Sequence, residues 1–246
     1  MEAEDTILTR RTVAGSLLAG SLVAGAALAS FHSRVADAQG APPAGRSPMI
    51  YEVKKLPFDP SRIKGLSERL IVSHHENNYA GAVKRLNAIT AQLAQLDYAA
   101  APVFLINGLK REELIAANSM ILHELFFDGI GGEGNPDGAL AEAIVRDFGS
   151  VERWKAEFAA MGKAEGGGSG WVSLAYTPRD KRLVNCWAAD HTTNLAGGRP
   201  ILALDMYEHA YHMDYGAKAV AYVDTFMQII NWQSATRLYG QYSKEA

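Results

Sequence analysis

The chain has 246 residues, 48% of them apolar and 21% charged, which is ordinary for a globular protein with one sizeable domain or two small ones. Its formal net charge of −3, without any block of lysines or arginines, argues against a protein that binds nucleic acid electrostatically. Its one cysteine, Cys186, excludes an intramolecular disulfide.

Residues 1–38 carry the features of an export signal. Arg10 and Arg11 precede an apolar run over residues 13–29, and Ala36-Asp37-Ala38 is a small-x-small cleavage pattern. The paired arginines indicate the twin-arginine route, so we predict a periplasmic or exported protein that has no membrane attachment after signal removal. An uncleaved membrane anchor is the alternative, although the run is short for a bilayer span. Residues 39–55 then form a leader into the folded part.

The next part of the chain, residues 56–132, is predicted to be helical. Apolar residues recur at three- and four-residue spacing over residues 62–98, which indicates either two antiparallel helices or one long bent helix. A further helix is predicted from Glu112 to Phe127, because glycines at 129, 131 and 132 follow it as a strong terminator. We therefore expect an N-terminal domain built as an antiparallel helical hairpin.

Residues 133–246 mix helical and strand patterns. Helices are predicted over residues 139–148, 150–161 and 217–238, and short strands over residues 171–176, 182–187 and 201–204. Residues 178–181 form the turn between the first two strands. The whole order predicts an α+β fold, whose C-terminal domain places helices around a small three-stranded antiparallel sheet.

Several histidines stand in positions that favour a metal site. Beyond the predicted signal the chain contains His74, His75, His123, His191, His209 and His212. Any one of them alone is more often a core or surface residue, but Asp205 and His209 stand four residues apart at the end of a predicted strand. His74 and His123 lie mid-helix among apolar neighbours, where an unpaired imidazole is costly to bury. Three imidazoles and a carboxylate suit iron, manganese or zinc, and the absence of thiolates argues against copper(I) and iron–sulfur chemistry.

Motifs spread along the chain together resemble one family. They are Leu56-Pro57-Phe58-Asp59, His123-Glu124-Leu125-Phe126-Phe127, residues 134–140, residues 143–150, Gly168-Ser169-Gly170-Trp171 and residues 204–211. These motifs are similar to those of the iron/manganese superoxide dismutases, and the similarity extends over roughly residues 56 to 235.

The resemblance implies an enzyme that converts superoxide to dioxygen and hydrogen peroxide by redox cycling of one Fe or Mn ion per subunit. The ligands that it implies are His74, His123, Asp205 and His209. A metal-binding relative with little dismutase activity, peroxidase-like or metal-sequestering, and a non-enzymatic scaffold are the alternatives. The sequence does not decide between iron and manganese, because atypical residues surround the ligands.

Those atypical residues begin at the family's substrate gateway. Asn78 and Ala82 stand where the family usually has a histidine and a tyrosine, and Tyr207 stands where it has a tryptophan. His212 replaces the aromatic residue that would pair with the gateway histidine. We therefore hypothesise an Asn78–His212 hydrogen bond in place of the usual pair.

The group that delivers protons is also unusual. In the family a glutamine hydrogen-bonds the metal-bound solvent, but Ser119 is too short to do so from the helix position. The strand region offers Asp190 and His191; some members use a histidine here, so we favour His191 and keep Asp190 as the alternative. The residues expected to support catalysis are His191, Asp190, Asn78, Tyr207 and Trp171.

Glu208, beside the ligand His209, resembles the family's dimer contact. In that contact the glutamate hydrogen-bonds the ligand histidine of the partner subunit. The resemblance thus implies a homodimer through Glu208 and His209, with a tetramer as the alternative.

Overall fold

A computed structural model describes residues 47–245, so the predicted signal lies outside the described residues. None of the helices within residues 47–245 is long and apolar enough to cross a membrane. The helices are α1 (Glu68–Ser73), α2 (Ala80–Gln95), α3 (Val103–Asp128), α4 (Gly138–Phe148), α5 (Val151–Ala164), α6 (His212–Tyr215), α7 (Ala219–Gln228) and α8 (Trp232–Tyr242). The strands are β1 (Trp171–Thr177), β2 (Arg182–Ala188) and β3 (Arg199–Asp205). This content confirms the predicted α+β fold.

One long helix carries the first predicted ligand. It begins after Ser67, whose hydroxyl accepts a hydrogen bond of 3.1 Å from the amide of Leu70 and so caps α1. Between α1 and α2 the backbone winds as a π-helix over His74–Tyr79. The chain therefore forms one long helix here rather than two antiparallel ones. Such π-helical turns are rare and are frequent at functional sites.

Helix α3 runs antiparallel to this long helix. Arg85 of α2 pairs with Glu112, near the start of α3, and Tyr79 bonds Glu124, near its end. The residue earlier in the first helix therefore contacts the residue later in α3, which is the pairing of antiparallel helices and confirms the helical hairpin. α3 begins at Val103 rather than at the predicted Glu112. Proline precedes Val103, and its fixed backbone angle suits a helix start.

The sheet brings residues of three separate segments to one corner. Its strands are antiparallel in the order β2-β1-β3, and every residue of the central strand β1 is buried. Trp171, the first residue of β1, lies opposite Ala188 at the end of β2 and Asp205 at the end of β3. The segment that follows β2 and the ligand that ends β3 therefore both flank Trp171.

The prediction of a single helix over residues 217–238 is wrong, because the structure has two helices there, α7 and α8, with a break between them. Ile230 in the break forms a β-bridge with Ile130, after the end of α3. The amide of Gly132 donates to the carbonyl of Ile229 at 3.1 Å. A Cβ on Gly132 would lie 2.6 Å from the Cα of Asn231, so only glycine allows this approach. The division into two domains at residue 132 stays a prediction.

Candidate metal centre

The four predicted ligands converge between the helical hairpin and the sheet. His74 begins the π-helical turn, His123 lies in α3, Asp205 ends β3, and His209 lies in a short 3₁₀ turn after it. Asp205 Oδ2 is 3.1 Å from His74 Nε2 and 3.2 Å from His209 Nε2. It is 3.6 Å from His123 Nε2. The four ligand atoms all lie within 4.8 Å of one another, which is the spacing of a single-ion site.

The charges at this cluster fit a metal cation. Burial lowers the pKa of His74 and, with the nearby His74, lowers that of His123 to about 3, so both imidazoles are neutral near pH 7. Burial alone would raise the pKa of Asp205, but His209 and His74 hold it well below its ordinary value, so the carboxylate is ionised. Within residues 47–245, Asp205 forms no ion pair with a lysine or an arginine.

The tautomer of His123 is fixed by a hydrogen bond to the backbone. The carbonyl of Ser119 can only accept, so His123 donates to it from Nδ1 at 2.6 Å and keeps a bare lone pair on Nε2. That lone pair faces Asp205 Oδ2 at 3.6 Å and His209 Nε2 at 3.4 Å. The Nε2 lone pair of His123 and the lone pairs of the Asp205 carboxylate thus face one another without a proton, an arrangement that a cation between them stabilises. A three-imidazole, one-carboxylate set suits Fe or Mn, and the residues present therefore fit the implied ion.

His191 lies beside this cluster, on the side of Trp171. Trp171 Nε1 donates a hydrogen bond of 2.9 Å to His191 Nδ1. Burial lowers the pKa of His191, so the ring is neutral near pH 7 and its one proton is on Nε2. The ring lies 6.2 Å from that of His123 and stacks on Tyr207 at 4.8 Å. Tyr207 in turn stacks on His209 at 5.4 Å.

The side chain of the neighbouring Asp190 forms hydrogen bonds within its own loop. Its carboxylate accepts from the amide of Thr192 at 2.7 Å and from the Thr192 hydroxyl at 2.6 Å, and these bonds lower its pKa. The loop is also fixed to α3, because Asn118 Nδ2 donates to the carbonyl of His191 at 2.5 Å. Asp190 and His191 are the two alternatives for the solvent-bonding residue, and His191 is the one whose side chain packs beside a ligand, with its ring 6.2 Å from that of His123. The role of Asn118 is not predicted from the sequence, because Asn118 and His191 are 73 residues apart and no local pattern links them.

The gateway residues differ in how far they are buried. Asn78 is half-buried on the π-helical turn, Ala82 is buried in the core, and His212 is exposed at the start of α6. Among residues 47–245 no hydrogen bond joins Asn78 to His212, so the hypothesised pair is not formed within one chain. Ala82 carries no polar group, and the site therefore lacks a hydroxyl at that position.

The chain matches known proteins over most of its length. The family model described as the C-terminal domain of iron/manganese superoxide dismutases matches residues 136–238. A protein of Cupriavidus metallidurans named as an iron superoxide dismutase is 72% identical over 187 residues, which are 76% of this chain and 95% of that protein. The chain belongs to the iron/manganese superoxide dismutase family.

More distant members of the family carry either metal in their names. A manganese superoxide dismutase of Haloferax volcanii is 36% identical over 78% of this chain and 97% of its own length. An iron superoxide dismutase of Methanothermobacter marburgensis is 33% identical over 77% of this chain and 96% of its own length. The names of these relatives include both iron and manganese, and the three imidazoles and one carboxylate of this site suit either ion.

Proposed function

We propose that the protein is a superoxide dismutase that works with one iron ion per subunit. The observation that carries this proposal is the buried convergence of His74, His123, Asp205 and His209, with the lone pair of His123 Nε2 facing the carboxylate of Asp205. The choice of iron rests on the relative that is 72% identical and is named for iron, whereas the manganese superoxide dismutase of Haloferax volcanii is 36% identical. When bound, iron supplies the one-electron chemistry that converts two superoxide ions and two protons into dioxygen and hydrogen peroxide.

The residues around the ion then have to deliver protons. Peroxide needs two protons, and His191 Nε2 carries a proton beside the cluster, on a ring 6.2 Å from that of His123. Trp171 keeps that proton on Nε2, because its own N–H occupies Nδ1. Tyr207 holds the ring from one face. We assign His191 the role of hydrogen-bond donor to solvent and substrate at the site, with Trp171 and Tyr207 as positioning residues.

We also propose that the protein is exported by the twin-arginine route. The support is the order of Arg10-Arg11, the apolar run and the Ala36-Asp37-Ala38 cleavage pattern. This route carries folded proteins, which agrees with a metal inserted in the cytoplasm. The mature enzyme would then remove superoxide in the periplasm.

One preparation tests both proposals. We expect N-terminal sequencing of the protein from a periplasmic fraction to start near Gln39. After removal of the metal and separate reconstitution with iron and with manganese, we expect about one ion per chain and fast dismutation in the iron form. Recovery of full-length protein from the cytoplasm alone would contradict export. Stoichiometric metal with negligible dismutation in both forms would instead favour a metal-binding relative, whose altered Asn78 and Ala82 no longer support the reaction.

We propose a homodimer that is held in part by Glu208. This carboxylate is exposed beside the ligand His209, and within residues 47–245 it has no hydrogen-bond or ion-pair partner on its side chain. His209 is the one ligand whose side chain is partly exposed, at 26%. A partner subunit could therefore reach it.

The dimer is checked by light scattering at several concentrations. We expect the native protein to have twice the mass of one chain, and Glu208→Ala to dissociate at roughly ten-fold higher concentration, about 1.4 kcal/mol of lost association energy. Glu133→Ala is the control, because Glu133 is exposed and pairs with Lys64 on the surface. A monomeric native protein, or equal dissociation of both variants, would contradict this interface.

A further inference from the structure

Two ligand histidines of the cluster are held in different ways. His123 is fixed by its own hydrogen bond from Nδ1 to Ser119, whereas His74 Nδ1 has no hydrogen-bond partner among the described residues. The His74 ring packs against Phe126 and Phe127, with ring centroids 5.1 and 5.0 Å away. Packing resists displacement but leaves rotation about the ring axis less defined than a hydrogen bond does. The position of His74 must therefore depend on the backbone that carries it.

That backbone is the π-helical turn, and Tyr79 ends it. Tyr79 is 1% exposed, and its hydroxyl donates to Glu124 Oε1 at 3.0 Å. Burial, more than any neighbouring charge, raises the pKa of Tyr79 to about 12, so the phenol keeps its proton. Glu124 directly follows the ligand His123. The Tyr79–Glu124 bond thus ties the turn that begins with one ligand to the residue next to another.

Residues 51–54 extend the Tyr79–Glu124 hydrogen bond into a network. The amide of Lys54 donates to the Tyr79 hydroxyl at 2.9 Å, and Lys54 Nζ pairs with Glu124 Oε2. The carbonyl of Lys54 lies 2.8 Å from His75 Nε2. Further back, Tyr51 exchanges two hydrogen bonds of 2.8 Å with the Asn87 side chain, which fixes the segment to α2. The network thus joins the N-terminal segment, the π-helical turn and the residue next to His123.

We propose that the Tyr79 hydroxyl is a positioning group for the metal centre: through Glu124 it fixes the separation of His74 from His123, and so sets how tightly and with what symmetry the ion is held. This inference rests on the proposed iron occupant. It does not require that the bound iron be catalytically fast. Ligands held to within about 0.5 Å by surrounding hydrogen bonds are a general requirement of metal sites.

The test compares two tyrosine-to-phenylalanine variants of the iron-loaded protein. Tyr79→Phe removes the hydroxyl of the network. Tyr215→Phe is the matched control, because its hydroxyl also bonds within the chain, 2.5 Å from the carbonyl of Gly65 and 2.7 Å from Thr225 Oγ1. Among the described residues this hydroxyl has no hydrogen bond to a ligand or to a residue next to one in the sequence. The readouts are the high-spin ferric EPR signal and the half-time of iron loss to a chelator. Neither readout depends on the rate at which the protein dismutates superoxide.

We expect Tyr79→Phe to shift the g-values of the ferric signal and to lose iron about ten-fold faster, which is the lower end of the usual effect of such supporting bonds. We expect Tyr215→Phe to match the native protein in both. Glu124→Gln keeps an oxygen acceptor for Tyr79 and should stay close to native, whereas Glu124→Ala should resemble Tyr79→Phe and replaces it if that variant does not fold. Native EPR and iron retention in Tyr79→Phe or in Glu124→Ala would overturn the proposal. A shifted signal in a protein that proves inactive would leave it standing while the dismutase function failed.

Discussion

Replacing His191 with alanine is expected to lower the rate of superoxide dismutation about 100-fold while leaving one iron per chain. The reason is that the side chain supplies an N–H beside the metal ligands but is not itself among them: its ring lies 6.2 Å from that of His123. A positioned proton donor contributes on the order of 10²–10⁴ in rate, and solvent would take over part of the role in the truncated site. The measurement is pulse-radiolysis or stopped-flow dismutation at pH 7, with iron content determined on the same sample.

Two further variants separate proton donation from packing. His191→Gln should keep most of the rate, since its amide can also donate, and Trp171→Phe should lose about ten-fold because the proton of His191 is then free to leave Nε2 for Nδ1. Tyr98→Ala is the control, because Tyr98 is 53% exposed in the connection between α2 and α3. If His191→Ala dismutates superoxide at the native rate, the donor role is refuted, and an ordered solvent molecule would have to deliver the proton directly.

The ligand set follows from the resemblance to the family, and the local pattern of the sequence agrees with it. His74 and His123 stand on apolar helix faces, where burial without a partner is costly, and Asp205 and His209 follow a strand at fixed spacing. Such constraints leave a trace in the local pattern. The fold follows for a similar reason, since the change from helical to alternating periodicity near residue 170 is a local property of the chain.

What the sequence does not predict depends on contacts between distant segments. The break between α7 and α8 is set by Ile230 pairing with Ile130, and the apolar pattern of residues 217–238 continues through it. The tautomer of His191 is set by Trp171, which precedes it by twenty residues. The π-helical turn at His74 adds one residue to a helical turn without changing composition. None of these has a signature in a short window of sequence.

A buried acid outside the metal centre is the other feature that sequence reasoning passed over. Glu165 follows α5, is 7% exposed, and has no hydrogen-bond partner on either carboxylate oxygen among the described residues. Lys163 does not neutralise it, because that lysine pairs with Asp224. Burial, and then the charge of Asp205, raise the pKa of Glu165 to about 7. The negative end of α5 further disfavours an ionised carboxylate there.

This raised pKa makes Glu165 a source of pH-dependent instability. An unfolded glutamate titrates near pH 4.5, so between there and about pH 7 the folded state holds more protons than the unfolded one. The free energy of unfolding must then fall as the pH rises through that window and remain lowered above it. Glu165→Gln cannot ionise, so it should remove this dependence and raise the free energy of unfolding at pH 8 by about 1–3 kcal/mol, the usual cost of an unsatisfied buried group.

Urea unfolding of the iron-loaded protein at pH 5, 6, 7 and 8 measures this effect. The gain of Glu165→Gln over the native protein should be largest at pH 8 and should shrink towards pH 5, where the native carboxyl is protonated as well. Glu133→Gln is the control for a change of charge alone, because that side chain is 83% exposed, and it should leave the curve unchanged. A gain that is equal at all four pH values would point to packing rather than ionisation. A loss at pH 8 would mean that the carboxylate has a partner, such as a bound water or a second subunit, that stabilises its charge.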